Sequence, residues 1–193
     1  SQPIFPIEQI ELQAHGSKCS FRNLYIKELK RHEPFQLSEQ EKKEGFQILF
    51  DGTNMHEWQG NTVDYVLEDG CIAMNPSKSF GGNLYTKKEY ANFVYRFEFQ
   101  LTPGANNGIG LRTPMGVDAA YHGMESQILD CEHPIYKDIT PLQHHGSIYG
   151  IIPANENHKK AIKPVGEWNE EEIICDGDNI KVTVNGVVIV EGN

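Results

Sequence analysis

Phe93-Val-Tyr-Arg-Phe-Glu-Phe-Gln-Leu101 alternates without a break. Successive side chains of a strand point to opposite faces. Phe93, Tyr95, Phe97, Phe99 and Leu101 therefore form one apolar face, and Val94, Arg96, Glu98 and Gln100 form the other. A strand with one apolar and one polar side belongs in an antiparallel sheet that is covered on one face.

From Phe46 onward the same short alternation recurs. Further strands are expected over 47–50, 63–68, 71–75, 83–86, 108–113, 124–130, 146–152, 167–175, 179–184 and 187–190. Asp69-Gly70 and Asn185-Gly186 supply hairpin turns, because Asn-Gly and Asp-Gly tolerate the positive φ such turns need. Ser38-Glu-Gln-Glu41 is a capping box opening one short helix that Gly45 ends. Many short strands with regular turn signals predict an all-β fold, a two-sheet antiparallel β-sandwich or jelly roll with one short helix. At 193 residues, one substantial core is expected.

Charge narrows the partners. The 27 acidic side chains outnumber the 17 basic ones, for a net charge of −10. A phosphate-binding surface needs the opposite balance, so nucleic acid is not expected as a partner. No apolar run has the length of a membrane-spanning helix, and no membrane partner is expected. Cys19, Cys71, Cys131 and Cys175 are scattered with no CxxC pair, which predicts thiols buried in strands, with a disulfide the alternative in an exported chain.

Between Gly104 and Asp130 two strands flank a loop. Ile109 and Leu111 are expected to face the core, with Arg112 on the opposite side. On the second strand Glu125 and Gln127 share one face and Met124, Ser126 and Ile128 the other. If both strands lie in one sheet, Arg112, Glu125 and Gln127 line a single surface.

An ordered series carries a resemblance: Glu44-Gly-Phe-Gln-Ile-Leu-Phe-Asp-Gly52 with Trp58, Gly82-Asn-Leu-Tyr-Thr86, Asn107-Gly-Ile-Gly-Leu-Arg112, Glu125-Ser-Gln-Ile-Leu-Asp130, Gly146-Ser-Ile-Tyr-Gly150, Gly166-Glu-Trp-Asn169 and Asn185-Gly186. Together these resemble the 3-keto-disaccharide hydrolase domain family, from about residue 38 onward. The resemblance implies a concanavalin A-like (lectin/glucanase) jelly roll, an oligosaccharide or glycoside substrate, and an extracytoplasmic location. In that family a segment like Leu12-Gln-Ala-His-Gly-Ser17, Phe21-Arg-Asn23 and Ile26-Lys-Glu-Leu29 closes the domain, whereas here it stands first. Residues 1–32 are therefore expected to be displaced closing strands, 33–45 a linker and helix, and 46–193 the main body. Completion in the same molecule, or strand exchange within a homodimer, would then fill the vacant place.

The implied substrate is a sugar oxidised at C3, whose C2 proton is acidified because the resulting carbanion delocalises as an enolate. One base and one stabiliser of the enolate oxygen suffice for elimination of the C1 substituent. On this reading Glu125 is the base, Arg112 stabilises the oxyanion or clamps the substrate, and Tyr149 contacts the substrate or protonates the leaving oxygen. Asn107, Gln127, His145 and His15 contact substrate. No cofactor is expected. A divalent metal held by several of His15, His122, His133, His144 and His145 is kept open, although no HxH or HxxxH spacing supports it. Two alternatives remain: a non-catalytic lectin-like module, and a conventional glycosidase using Glu125 with Asp130, which needs a bulge to bring Asp130 to the same face.

Overall fold

The computed structural model describes residues 9–13, 15–28, 33–75 and 82–193. The chain divides into two compact units, Ser1–Lys88 and Glu89–Asn193. Among the described residues, every buried hydrophobic side chain lies in the second.

In the first unit, the described residues from 9 to 28 form neither strand nor helix. The closing strands expected over 1–32 do not form among the described residues of that segment. Extended backbone needs a neighbour for its N–H and C=O groups, and no backbone pairing joins these residues to any other described segment. Their side chains stay outside, Phe21 at 53% and Ile26 at 75% exposure. Asn23 has a φ of 54°. Residues 1–8, 14 and 29–32 of that expectation lie outside the described residues.

Helix α1 (Glu39–Glu44) forms as expected, with the reciprocal Ser38–Glu41 box and Gly45 left-handed at its end. The strand expected over 47–50 is absent. Its backbone instead accepts from the Trp58 indole, Nε1 to Leu49 O at 2.8 Å. Trp58 itself opens β1 (Trp58–Gly60), which pairs with β4 (Leu84–Thr86). Strands β2 (Tyr65–Glu68) and β3 (Cys71–Met74) form a hairpin whose two loop residues, Asp69 and Gly70, have φ of 49° and 77°.

The second unit is a sandwich of two antiparallel layers. One holds β5 (Phe93–Gln100), β8 (Trp168–Asp176), β9 (Asn179–Val184) and β10 (Val187–Gly192), in the order β10-β9-β8-β5. The other pairs β6 (Asn106–Leu111) with β7 (Met124–Leu129). The aromatic row of β5 faces inward as its alternation dictates: Phe97, Phe99 and Leu101 pack against Ile109 and Ile128. A larger cluster brings Ile173, Cys175, Ile180, Val182, Val184 and Ile189 against Leu111 and Ile148. Short helices α2 (Ala119–His122) and α3 (His158–Ala161) interrupt the connections.

The strand expected over 146–152 is reduced to two isolated bridges, Ser126 with Ile148 and Ile148 with Ile152. Left-handed glycines 146 and 150, at φ of 77° and 70°, turn the chain at both ends of that short run. Of the four free cysteines, Cys175 is buried in β8, Cys71 and Cys131 are half-buried, and Cys19 is exposed outside any strand. No helix among the described residues is long and apolar enough to cross a membrane.

Candidate active site on β7

Strand β7 sets the geometry. Ser126 and Ile128 are buried against the opposing layer, so Glu125 and Gln127 point to the other face. On one side β6 places Gly110 opposite Glu125 and Gly108 opposite Gln127. On the other side the run 146–149 lies antiparallel: Gln127 N–H donates to Ser147 O at 3.0 Å, and Tyr149 N–H donates to Glu125 O at 2.8 Å. Tyr149 is thus the cross-strand neighbour of Glu125, on the same face.

The bare glycine at 108 makes room for the carboxyl group. A Cβ there would stand 2.5 Å from Glu125 Cδ. Half-buried in this way, Glu125 has its carboxyl raised above the ordinary range, first by desolvation and then by the negative charge of Asp118. Asp118 caps α2, accepting from Ala120 N–H at 3.0 Å. With its amide turned so that the nitrogen faces two acceptors, Gln127 Nε2 donates to Asn107 O at 2.8 Å and to Glu125 Oε1 at 3.2 Å. Tyr149 Oη accepts from Gln143 Nε2 at 3.1 Å. One face therefore assembles a carboxyl group, a phenol and two amides.

Other expected residues go elsewhere. Arg112 does not join Glu125 and Gln127: its guanidinium donates to Ala91 O and Gly177 O, each at 2.7 Å, and to Asn92 Oδ1 at 3.2 Å. It staples the entry of β5 to the β8–β9 turn, from a backbone held at φ 52°. Asn107 lies on the same side of β6 as Ile109 and offers the site only its carbonyl; Asn106 is the amide on the Glu125 face. Strand parity counted from Ile109 would have selected Asn106 from sequence.

His145 is 1% exposed and cannot meet a substrate. Its Nδ1 accepts from Leu129 N–H at 3.2 Å, so the ring proton sits on Nε2, 3.2 Å from Glu171 Oε2. Ser126 Oγ donates to the other Glu171 oxygen at 3.4 Å, and Phe99 stacks on the imidazole at 5.0 Å. This buried network locks β8 to the inward side of β7. Tyr95 is pushed up to about 12, by burial and then by Glu171.

His15 belongs to the first unit and bonds within its own turn, Nε2 to Gln13 Oε1 at 2.9 Å. His144 stacks on His158 at 4.5 Å. Among the described residues no group of three or more His, Cys, Asp or Glu side chains is placed to hold a metal ion. Asp130 shares the inward parity of Ser126 and Ile128, is 7% exposed, and accepts from Gly104 N–H at 2.9 Å. No bulge turns it toward Glu125, so the two-carboxylate glycosidase arrangement is not formed.

A depression of about 350 Å³ on the other layer, lined by Ile174, Asn179, Lys181 and Glu191, contains none of these residues.

Fold and site define an all-β sandwich protein that gathers a carboxyl group, a phenol and amide side chains on one sheet face. Within that class the chain belongs to the 3-keto-alpha-glucoside-1,2-lyase-like domain family, whose model matches residues 45–193. It is 29% identical over 180 residues to a 3-keto-disaccharide hydrolase of Bacteroides thetaiotaomicron, an alignment covering 78% of this chain and 59% of that protein. The chain thus spans less than two thirds of that relative's length. A crystal structure of a candidate glycosyl hydrolase from Parabacteroides distasonis superposes with a TM-score of 0.70 at 22% identity, over 83% of this chain and 78% of that one, and shares the fold. A second such structure from the same organism is 32% identical over 56% of this chain and 54% of that one, with a TM-score of 0.49.

Proposed function

We propose that this chain cleaves glycosides already oxidised at C3 of the sugar, with Glu125 removing the C2 proton. The observation that carries the reading is the seat of Glu125: half-buried over Gly108, raised in proton affinity and faced by Tyr149. A carboxylate whose conjugate acid is weaker than usual is a stronger base, and a ketone next to C2 makes that proton removable by one.

The electron pair of the C2–H bond becomes an enolate across C2 and C3. Its collapse restores the C3 carbonyl, forms a C1–C2 double bond and expels the C1 oxygen, which takes a proton from Tyr149. The products are an unsaturated 3-keto sugar and the free alcohol. Water adding across the new double bond, hydroxyl to C1 and proton to C2, completes a hydrolysis; without that step the enzyme is a lyase. Asn106 takes the enolate-stabilising role, since Arg112 is committed to backbone carbonyls. Gln127 holds Glu125 in place.

Incubation with a 3-keto-glucoside, followed by NMR with and without chelator, tests this. Glu125→Gln should lower turnover about 100-fold or more, and unoxidised disaccharides should not react. Full turnover by the variant would remove Glu125 from the chemistry.

The assembly is part of the same reading. Among the described residues β5 pairs only with β8 and β6 only with β7, which leaves an open edge on each, while the described residues between 10 and 28 present exposed Phe21, Leu24 and Ile26 with no backbone pairing. A second copy supplies that segment as the added strand. Sedimentation should show a dimer that Phe21→Ser with Ile26→Ser converts to monomer; a monomeric parent chain would end the exchange.

A further inference from the structure

Tyr149 offers two distinct hydrogen-bonding capacities, and its surroundings use only one. Thr140 N–H, which can only donate, reaches Gln143 Oε1 at 3.1 Å, and Thr140 Oγ1 reaches the same oxygen at 3.2 Å. The Gln143 amide is therefore fixed with its oxygen toward Thr140. Its nitrogen can only donate, and it faces Tyr149 Oη at 3.1 Å. The phenol oxygen is thus an acceptor toward Gln143, and no described side chain or carbonyl takes its hydroxyl proton. The brace is rigid at both ends: Leu142 O accepts from Gly150 N–H and from Ser147 Oγ, each at 3.0 Å.

We infer that Gln143 is a positioning residue that keeps the Tyr149 proton free for the leaving oxygen. This rests on the elimination reading above and adds a direction to it. With the amide donating into the phenol oxygen, transfer of the hydroxyl proton to the departing C1 oxygen leaves a phenolate already holding one donor, and solvent returns the proton afterwards. Leaving groups that are poor without protonation depend on this arrangement, and good ones do not.

Gln143→Glu tests it, because the change preserves shape and reverses polarity. One carboxylate oxygen keeps the Thr140 bond, and the other turns the Tyr149 proton away from the substrate. Turnover of a 3-keto-disaccharide, whose leaving group is a sugar alcohol, should fall about 100-fold. Turnover of a 3-keto-glucoside with a nitrophenyl leaving group should change by less than about threefold on the same reasoning. Equal losses on both substrates, or no loss on either, overturn the assignment.

A second measurement separates this from the function itself. Isotope-edited infrared spectra of the phenol C–O stretch, assigned by difference with Tyr149→Phe, report whether the hydroxyl accepts or donates. The band should move from the acceptor to the donor signature in Gln143→Glu whether or not any substrate turns over. An unmoved band refutes the inference even if the parent enzyme is active. Inactivity of the parent on both substrates, with a moved band, refutes only the elimination.

Discussion

Glu125 lies across the bare backbone of Gly108, close enough that a single added methyl would fall 2.5 Å from its Cγ and its Cδ. The clash is with the far end of a flexible side chain, so the carboxyl group must move while the strands stay put. Gly108→Ala should therefore change folding stability by less than about 1 kcal/mol. Turnover should drop about 100-fold, since a displacement of about 1 Å at a reacting group has that effect. Thermal melts beside turnover of a 3-keto-glucoside check the pair of outcomes; a melt that collapses, or activity that survives, would show the close approach to be incidental.

Glu125 also weighs on stability. Its folded-state proton affinity is raised above the ordinary carboxyl value of 4.5, so between that value and the folded one the native state binds more protons than the unfolded chain. Its contribution favours the fold at low pH and is lost as pH rises and the group ionises in place. Glu125→Gln removes that penalty. The variant should melt above the parent at pH 7, and the gap should close below about pH 4.5.

His144, stacked on His158, acts with the opposite sign on pH. His144 is pushed below 6.5 by burial, then by the charges of His158 and Lys159, with Glu132 pulling the other way. The unfolded chain then takes up a proton that the native state resists, so stability is intact above pH 6.5 and falls as the solution is acidified below it. Neither His144 Nδ1 nor His158 Nε2 has a partner among the described residues that would soften this. His144→Asn should flatten the melting profile between about pH 5 and 7; an unchanged slope would locate the acid sensitivity elsewhere.

Asn185 carries more than a turn. Its φ is 47°, and its side chain donates to Ala161 O at 2.7 Å and Asn169 Oδ1 at 2.8 Å while accepting from Glu170 N–H at 3.0 Å. Asn185→Gly keeps the backbone conformation and loses the bonds; Asn185→Asp keeps the acceptor but sets a carboxylate oxygen against Ala161 O and Asn169 Oδ1. Denaturant titration should show both destabilised by about 1–3 kcal/mol. Neutral behaviour of Asn185→Gly would reduce the residue to its turn conformation.

What was legible in the sequence was local. The β5 alternation, the two hairpin turns and the Ser38–Glu41–Gly45 helix are each written in residues a few positions apart, and all form. The Glu125 and Gln127 face followed from parity alone. Arg112 and His145 were misassigned because what satisfies them is remote: Arg112 reaches carbonyl groups 21 and 65 residues away, and His145 meets Glu171 across the core. A guanidinium or an imidazole in sequence announces its chemistry but not who has already claimed its protons. Asn107 was a different kind of miss, since the parity rule that placed Ile109 inward also placed Asn107 with it.

The enclosed acid Glu171 has one more effect, on the alignment of β7. Its two oxygens are matched to Ser126 and His145, a small hydroxyl and a neutral ring. A slip of β7 by one position would exchange its faces and drive Glu125 or Gln127 into the space beside that acid. Two carboxyl groups sharing one dry chamber is an arrangement the interior cannot satisfy. The hidden glutamate thereby works as a gauge: it admits one setting of the neighbouring strand, and that setting keeps Glu125 and Gln127 on the opposite face.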